Sequence, residues 1–587
     1  MWAACPEWDA TRLTQRIRAH ERPIGPYPRL MSHSCQRPDL PRQAGPRRLP
    51  QLVQVGLLIM GLTAGLACSP TESVGTMAPE HRLLIVGWDG ATFDLIDPLI
   101  AQGRLPNVAR LLGRGTSARL ESTIIPISSA AWVAAVTGKG PGKTGVYSFF
   151  EPLDDSYDVQ VISSRSNRAV PIWRILGAHG IGVHIMGVPI TYPPETVQGT
   201  LISGMLSPFD AEYAHPPGLA DELRERGFEP DLGIWRTAHG PTPKRLETQL
   251  DLKRDLVLEQ LGKDDWAFSM VVFKSLDVVS HGIYSLQPDG PVAMLMDRLD
   301  EILGEMVAAV GEDTNVILMS DHGFRTYPET FNLHAWMVAE GFSPKHAQGT
   351  AEAVEPGQLA TMRPKEHERR MGELDLPRTV AYATACEGNF GSLRLNLEGR
   401  EPDGIVAIAD AERVLSEISE RLIQTRIDGQ PLVTLVMGGH ELYPGPESQR
   451  IVPDLLFETR TQVQVLVSPD KPVHSKNARP FPDHARTGIL IAAGPGFELR
   501  SSALERPQAS VVDIGPLALH LLGFPVPKQM DGRVPADLLR PGAPVRRFDE
   551  ADDPRWPKAK DAARHFESSA TDSEAVQERL KGLGYAD

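Results

Sequence analysis

Three apolar runs, each closing on a carboxylate, constrain this chain more than any other feature: LLIVGWDG at 83–90, MVVFKSLD at 270–277 and VILMSDHG at 316–323. In an open parallel α/β sheet, ligand sites form in the crevice beyond the carboxyl ends of the strands. Three such runs would set Asp89, Asp277 and Asp321 along one edge. His281, His322 and His484 add three imidazoles, and the six side chains together offer enough oxygen and nitrogen to hold two divalent metal ions. A metal ion beside Ser128 would activate that serine as a nucleophile.

From His81 onward, apolar runs alternate with segments of helical period, the pattern of βαβ units. Candidate sheet strands are 83–87, 182–190, 268–274, 315–319 and 488–493. The clearest helix is 291–310. There Val292, Leu295, Leu299, Ile302, Met306 and Val310 recur at spacings of three and four, and Pro291 suits the first turn. The expected fold is α/β, a central and mostly parallel sheet flanked by helices, within a catalytic body at 81–540. Stretches near 206–250 and 340–480 read as insertions over the active-site edge, the second opening on the Pro-, Gly- and charge-rich 340–380. Loops of that kind are where substrate selection resides. Residues 541–587 read as a linker and a short helix starting at the capping-box sequence TDSE, 571–574.

The composition, 41% hydrophobic and 23% charged, is that of a soluble globular protein. Net charge is −15, and residues 1–67 carry nine Arg against four acidic residues, so the remainder carries −20. A body that acidic is a poor partner for a nucleic-acid polymer, whose phosphates are held by Lys and Arg. Small metal-bound anions are still acceptable, because the metal's charge dominates such a site. Residues 52–67 are uncharged and apolar, follow Arg42, Arg47 and Arg48, and end at Cys68. That run is short for a membrane span and suits a signal peptide. Leu66-Ala67-Cys68 resembles a bacterial lipobox, with Gly65 where Leu is usual. The expectation is an exported protein, periplasmic or on the cell surface, held at the membrane by a lipid or a signal anchor. Residues 1–68 would be the export segment, with Met31 the better start, and 69–80 a tether. With Cys5 and Cys35 lost and Cys68 lipidated, only Cys386 is left, so no intrachain disulfide is expected.

Each candidate residue also has a plainer role open to it. PISSAAWVAAVTG at 126–138 reads as an Ala-rich helix ended by Gly138, with Ser128 or Ser129 at its N-cap. A helix N-terminus also offers free N–H groups to an anion. Asp277 and His281 stand at i,i+4 on one helix face, fit for two ligands on one ion or for a surface pair. Asp321 and His322 lie just past a strand end, where Gly323 permits a tight turn, and could form a structural hydrogen bond instead. Asp89 could be a turn former and His484 a structural histidine. Their shared place around one sheet edge is what favours a joint function.

GWDGATFDLIDPL, PISSAAWVAAVTG, SLDVVSHG, MSDHGF and H-x-x-x-GILIAAGPG occur in the order found in the alkaline phosphatase superfamily. They most resemble its type I phosphodiesterase/nucleotide pyrophosphatase branch, over about 83–535, as do PDLLFE and VVDIGPLALHLLGFPVPKQMDGR. The resemblance implies a two-metal site, usually zinc, with a Ser or Thr phosphorylated in turnover. By position, Asp277, His281 and His484 would hold the first ion. Asp89, Asp321 and His322 would hold the second, with Ser128 bound to it as nucleophile. Ser128 is preferred over Ser129 because it lies nine residues before Thr137, the family's spacing. The donor set suits Zn2+ and would also accept Mn2+ or Fe.

The sequence departs from this branch at four places. Ala131 stands where nucleotide pyrophosphatases place an Asn that grips a phosphoryl oxygen, which leaves oxyanion stabilisation to the Ser129 N–H or to Lys274. Thr144 replaces a common His, Leu276 a common Pro and Ser280 a common Gly. These changes spare the metal ligands and put nucleotide specificity in question. The expected function is an exported phosphoric ester hydrolase acting on small phosphate esters, with a lean to diesters. A phosphomonoesterase, a phosphotransferase or a noncatalytic metal-binding surface lipoprotein are the alternatives. A sulfatase is disfavoured, because Ser128 is followed by Ser-Ala-Ala-Trp and not by that branch's Pro and Arg.

Overall fold

The computed structural model describes residues 79–556 except 234–241, 288–289, 346–370, 469–470, 500–505, 543 and 554. The expected export segment, nearly all of the tether and the TDSE helix lie outside the described residues.

Eleven strands position the site. In chain order they are β1 (Leu83–Trp88), β2 (Gly115–Glu121), β3 (Val183–Met186), β4 (Gly199–Ile202), β5 (Ala214–His215) and β6 (Phe268–Phe273). Then come β7 (Asn315–Met319), β8 (Gly323–Asn332), β9 (His474–Ala485), β10 (Thr487–Ala493) and β11 (Gln508–Ser510). Nine of them form one sheet in the order β11-β2-β10-β7-β1-β6-β3-β4-β5. Strands β7, β1, β6, β3 and β4 run parallel, while β10 is antiparallel to both its neighbours. The sheet is mostly parallel, as expected.

All six residues of β1 are buried, because both sheet faces are covered. Leu84, Val86 and Trp88 pack into one core, and Leu83 and Ile85 into the core on the other face. That is why the strand reads as an unbroken apolar run with no alternation. Helix α3 (Pro291–Val310) covers the first face with Val292, Leu295, Leu299, Ile302 and Met306. Helix α1 (Ser128–Thr137) adds Trp132, Ala134, Ala135 and Val136 to the second. Fully burying each Leu or Ile contributes about 2 kcal/mol, so the paired cores hold the sheet edge firmly.

Two expected strands are trimmed. The 182–190 segment leaves the sheet at Met186, where Gly187 takes a φ of 71° that turns the chain. The run 270–277 is strand only to Phe273, and helix α2 (Ser275–Ile283) carries its carboxylate. Strands β8 and β9 pair antiparallel above the edge, with Phe324 opposite His484. Over residues 381–459 a separate antiparallel sheet, Ala381–Ala383, Phe390–Leu395, Leu455–Thr459 and Val433–Gly438, backs onto the helix Ala411–Gln424 through its own core.

Candidate active site

Register explains how distant residues meet. Trp88 pairs with Phe273, and Gly87 with Met319. One residue past the end of β1, Asp89 is therefore level with Asp321, two residues past β7. Asp277 arrives one turn into α2, which puts His281 on the same helix face. His484 enters from above on β9. All seven sequence-derived candidates converge here, and six are nearly or fully buried, from 0% exposure at Asp89, Asp321 and His322 to 4% at Asp277 and His484.

The candidates form two clusters. In the helix cluster, His484 Nε2 lies 3.1 Å from Asp277 Oδ1 and 2.9 Å from His281 Nε2. His281 Nε2 stands 3.2 Å from the same Asp277 oxygen. In the strand cluster, His322 Nε2 is 3.5 Å from Asp89 Oδ1 and 3.4 Å from Asp321 Oδ2. The His322 and His484 rings stack with centroids 3.7 Å apart, which joins the two clusters.

Ser128 is not the helix cap its sequence suggests. Ile127, in extended conformation, is the N-cap residue and provides no side-chain bond, so Ser128 opens the first turn. Its hydroxyl is turned inward instead, 3.1 Å from His322 Nε2. The Ser129 hydroxyl is buried without a partner. The first N–H groups of α1 have no intrahelical acceptor and present positive charge beside Ser128. Gly323 also differs from its expected role. It needs no left-handed turn; a side chain there would strike the Thr487 carbonyl.

Backbone carbonyls set the histidine tautomers. His322 Nδ1 donates to the Gly323 carbonyl at 3.0 Å, leaving Nε2 to accept from the Ser128 hydroxyl. His484 Nδ1 donates to the Pro126 carbonyl at 2.9 Å, turning Nε2 toward Asp277 and His281. Such outer partners orient metal-ligating imidazoles. Sequence reading missed three of the supporting groups. Trp132 Nε1 donates to Asp89 Oδ2 at 3.0 Å. Glu387 Oε1 lies 3.7 Å from His484 Nδ1, and Asp483 is buried behind it, accepting from Gln464 at 2.5 Å. Asp483 could have been suspected from its neighbour His484, whereas nothing local marks Glu387. Lys274 Nζ pairs with Asp231 Oδ1 at 2.5 Å.

Burial, reinforced by the charges of Asp321 and Asp277, pushes the Asp89 carboxyl well above the usual range. Burial likewise lifts Asp321 to about 7. Burial acts the same way on Asp277, but the charges and hydrogen bonds of His281 and His484 outweigh it and hold the carboxyl low. Burial favours neutral His484, yet the Asp277 carboxylate overrides it and raises the imidazole to about 9. His322 is held well below its ordinary value, first by burial and then by the charge of His484. Asp89 Oδ1 and both Asp321 oxygens are buried with no hydrogen-bond partner. Orphaned buried carboxylate oxygens call for a cation. Three overlapping groups of carboxylate and imidazole donors, Asp89–Asp321–His322, Asp277–His322–His484 and His281–Asp483–His484, each lie within 4.8 Å and fit a divalent metal.

The family model described as "Type I phosphodiesterase / nucleotide pyrophosphatase" matches residues 83–485, well over half of the chain. The chain belongs to that family. It is an alkaline phosphatase-superfamily member and a metal-dependent phosphoric ester hydrolase. Phosphonoacetate hydrolase from Sinorhizobium meliloti 1021, solved with phosphonoacetate, is similar in structure at a TM-score of 0.51 and 16% identity, over 76% of this chain and 96% of that one. That likeness establishes the fold. Murine ectonucleotide pyrophosphatase/phosphodiesterase 5 matches at a TM-score of 0.45 and 13% identity, over 78% of this chain and 100% of that one. No curated protein sequence matches this chain. Among the described residues, no helix is long and apolar enough to cross a membrane.

Proposed function

We propose that this family member is an exported two-metal phosphodiesterase that uses Ser128 as its nucleophile. The observation that carries the reading is the Ser128 hydroxyl, 3.1 Å from His322 Nε2 at the first turn of α1, beside the Asp277–His281–His484 cluster and the Asp89–Asp321–His322 group. Asp277, His281 and His484 would hold one divalent ion, and Asp89, Asp321 and His322 the other. Zinc suits the mixed nitrogen and oxygen donors. When bound, the ions supply positive charge and Lewis acidity to the nucleophile and to the oxygens on phosphorus.

The chain's own groups then do the following. Ser128 Oγ bonds to phosphorus as the bond to the leaving oxygen breaks, and the leaving oxygen takes up a proton. Water next cleaves the phosphoserine and restores the hydroxyl. The free N–H groups of the first turn of α1 face the growing negative charge. Carbonyls of Gly323 and Pro126 keep His322 and His484 in the tautomers that direct Nε2 inward. Ala131, one turn after Ser128 and fully buried, offers only a methyl group where nucleotide-directed relatives place an amide. That difference favours a substrate gripped elsewhere. The export expectation rests on the 52–68 sequence alone.

The test compares bis-p-nitrophenyl phosphate with p-nitrophenyl phosphate, with zinc or manganese added and EDTA as control. EDTA-sensitive hydrolysis of the diester, lost in Ser128→Ala with metal content unchanged, is the expected result. Preference for the monoester would make the protein a phosphatase. No turnover by metal-loaded protein would overturn the hydrolytic reading in favour of transfer or binding.

A further inference from the structure

The carboxyl edge of the sheet carries a second polar feature one strand away from the metal ligands. A cavity of about 60 Å³ lies at the ends of β6 and β3, walled in part by Gly187, Asp231, Lys253, Lys274, Ser275 and Val278. Helix α2 stands between it and the helix cluster. Asp277 and His281 face the cluster, while Ser275 and Val278 wall the cavity.

Lys253 reaches in from the helix Pro243–Leu261. Its Nζ donates to the Val272 carbonyl and lies 5.1 Å from the centroid of the Phe273 ring. The nearby carboxylates are engaged with other groups. Asp231 accepts from Lys274 Nζ at 2.5 Å and from the Leu206 N–H at 3.0 Å, and Glu229 accepts from Arg245 Nε at 2.9 Å. Among the described residues no carboxylate pairs with Lys253. The Ser275 hydroxyl is buried without a hydrogen-bond partner. A Cβ at Gly187 would overlap Lys253 Nζ and come within 2.8 Å of the Val272 carbonyl oxygen, so the amine packs directly on this glycine.

We propose that this cavity is an oxyanion subsite in which Lys253, Lys274 and Ser275 hold a second negatively charged group, a phosphate or carboxylate, on the substrate's leaving group. The proposal rests on the hydrolase reading and narrows its substrate class to esters with two anionic groups. An ammonium without a carboxylate partner and a buried hydroxyl lacking any partner line the same cavity, and an anion there would supply both interactions. Burial, and then the neighbouring Lys274, pull Lys253 down to about 7, and an oxyanion at Nζ would reverse that pull. The cavity has room for a compact oxyanion beside Lys253 and Ser275. The Lys274–Asp231 pair fixes the second ammonium at the cavity wall.

Two measurements decide it. The first is kcat/KM of the metal-loaded enzyme for methyl phosphodiesters whose leaving groups are phenol, 4-carboxyphenol and 4-hydroxyphenyl phosphate. The native enzyme should prefer one charged leaving group, and the preferred one tells phosphate from carboxylate. Lys253→Met should lower that preference by about tenfold, the size of one hydrogen bond to a charged group, and Lys253→Arg should restore part of it. An unchanged preference ratio in Lys253→Met would overturn the subsite. The second is an anomalous map from native crystals soaked in selenate, which needs neither turnover nor the variant to fold. A peak within hydrogen-bond distance of Lys253 Nζ supports the subsite, and its absence overturns it. A peak without turnover of any ester would sink the hydrolase reading and keep the anion site.

Discussion

The two ligand clusters share one sheet edge and differ in how their charge is handled. In the helix cluster, imidazoles surround a carboxylate, and mutual hydrogen bonds hold Asp277 low and His484 high. It is close to self-compensated. The strand cluster sets two carboxyls against one neutral imidazole, with three orphaned oxygens. The backbone explains the contrast. A helix face brings an acid and a base together at i,i+4, whereas level parallel strand ends bring like side chains together. The strand cluster therefore has more to gain from a cation, and the nucleophile stands on that side.

The largest expected effect sharpens this contrast. Ser128→Ala should reduce diester hydrolysis by about a thousandfold or more, since a covalent route loses its first step. Ser128 bonds only His322 among the ligands, so both metal equivalents should remain by elemental analysis. Loss of a metal along with activity would give Ser128 a structural share in the strand cluster.

Removing one carboxylate from each cluster should next separate them. Asp321→Asn and Asp277→Asn should each cost one metal equivalent and nearly all activity. In EDTA-treated protein their stabilities should diverge. Asp277→Asn breaks a buried pair and should destabilise by about 3–5 kcal/mol. Asp321→Asn relieves like-charge repulsion and should leave Tm unchanged or raise it. Equal losses in Tm would erase the difference between the clusters.

The same contrast has a pH signature. Asp321 is raised to about 7 when folded, so its stabilising contribution is complete below the unfolded carboxylate value near 4 and is lost as pH rises through 7. Asp89 is shifted the same way. His322, held neutral by burial, pulls oppositely below its ordinary value. The readout is therefore the difference in unfolding free energy between native and Asp321→Asn protein, both treated with EDTA. That difference should grow in favour of the variant from pH 4 to 7, with a slope of at most about 1.4 kcal/mol per pH unit. A flat difference would mean that Asp321 ionises normally.

Much of the strand cluster is legible in the sequence, because β1 and β7 are buried on both faces and their apolar runs end where the carboxylates begin. The Asp277–His281 spacing likewise announces a helix. What the sequence conceals is nonlocal. The inward turn of Ser128 depends on Ile127 taking the cap position, and nothing in PISSAAW distinguishes a capping serine from one facing His322. Glu387 lies about a hundred residues before His484 in a separate antiparallel sheet region, and Lys253 reads as one of several charges on an amphipathic helix. Their meaning comes from burial, which no local pattern encodes.

The smallest expected effects test whether side chains or backbone orient each cluster. Trp132 donates its one indole N–H to Asp89, and no backbone carbonyl can replace a donor to a carboxylate. Trp132→Phe should weaken metal binding at the strand cluster by about 10–100-fold, the usual range for an outer-shell partner. In the helix cluster His484 is already oriented by the Pro126 carbonyl at 2.9 Å, and Glu387 stands back at 3.7 Å. Burial, and then Asp483, push the Glu387 carboxyl well above its ordinary value, so a neutral amide is a close substitute. Glu387→Gln should therefore change metal affinity less than Trp132→Phe does, by under about threefold against that same outer-shell range. Competition with a chromogenic chelator measures both. A larger loss in Glu387→Gln would shift the orienting role from the Pro126 carbonyl to the carboxyl pair behind His484.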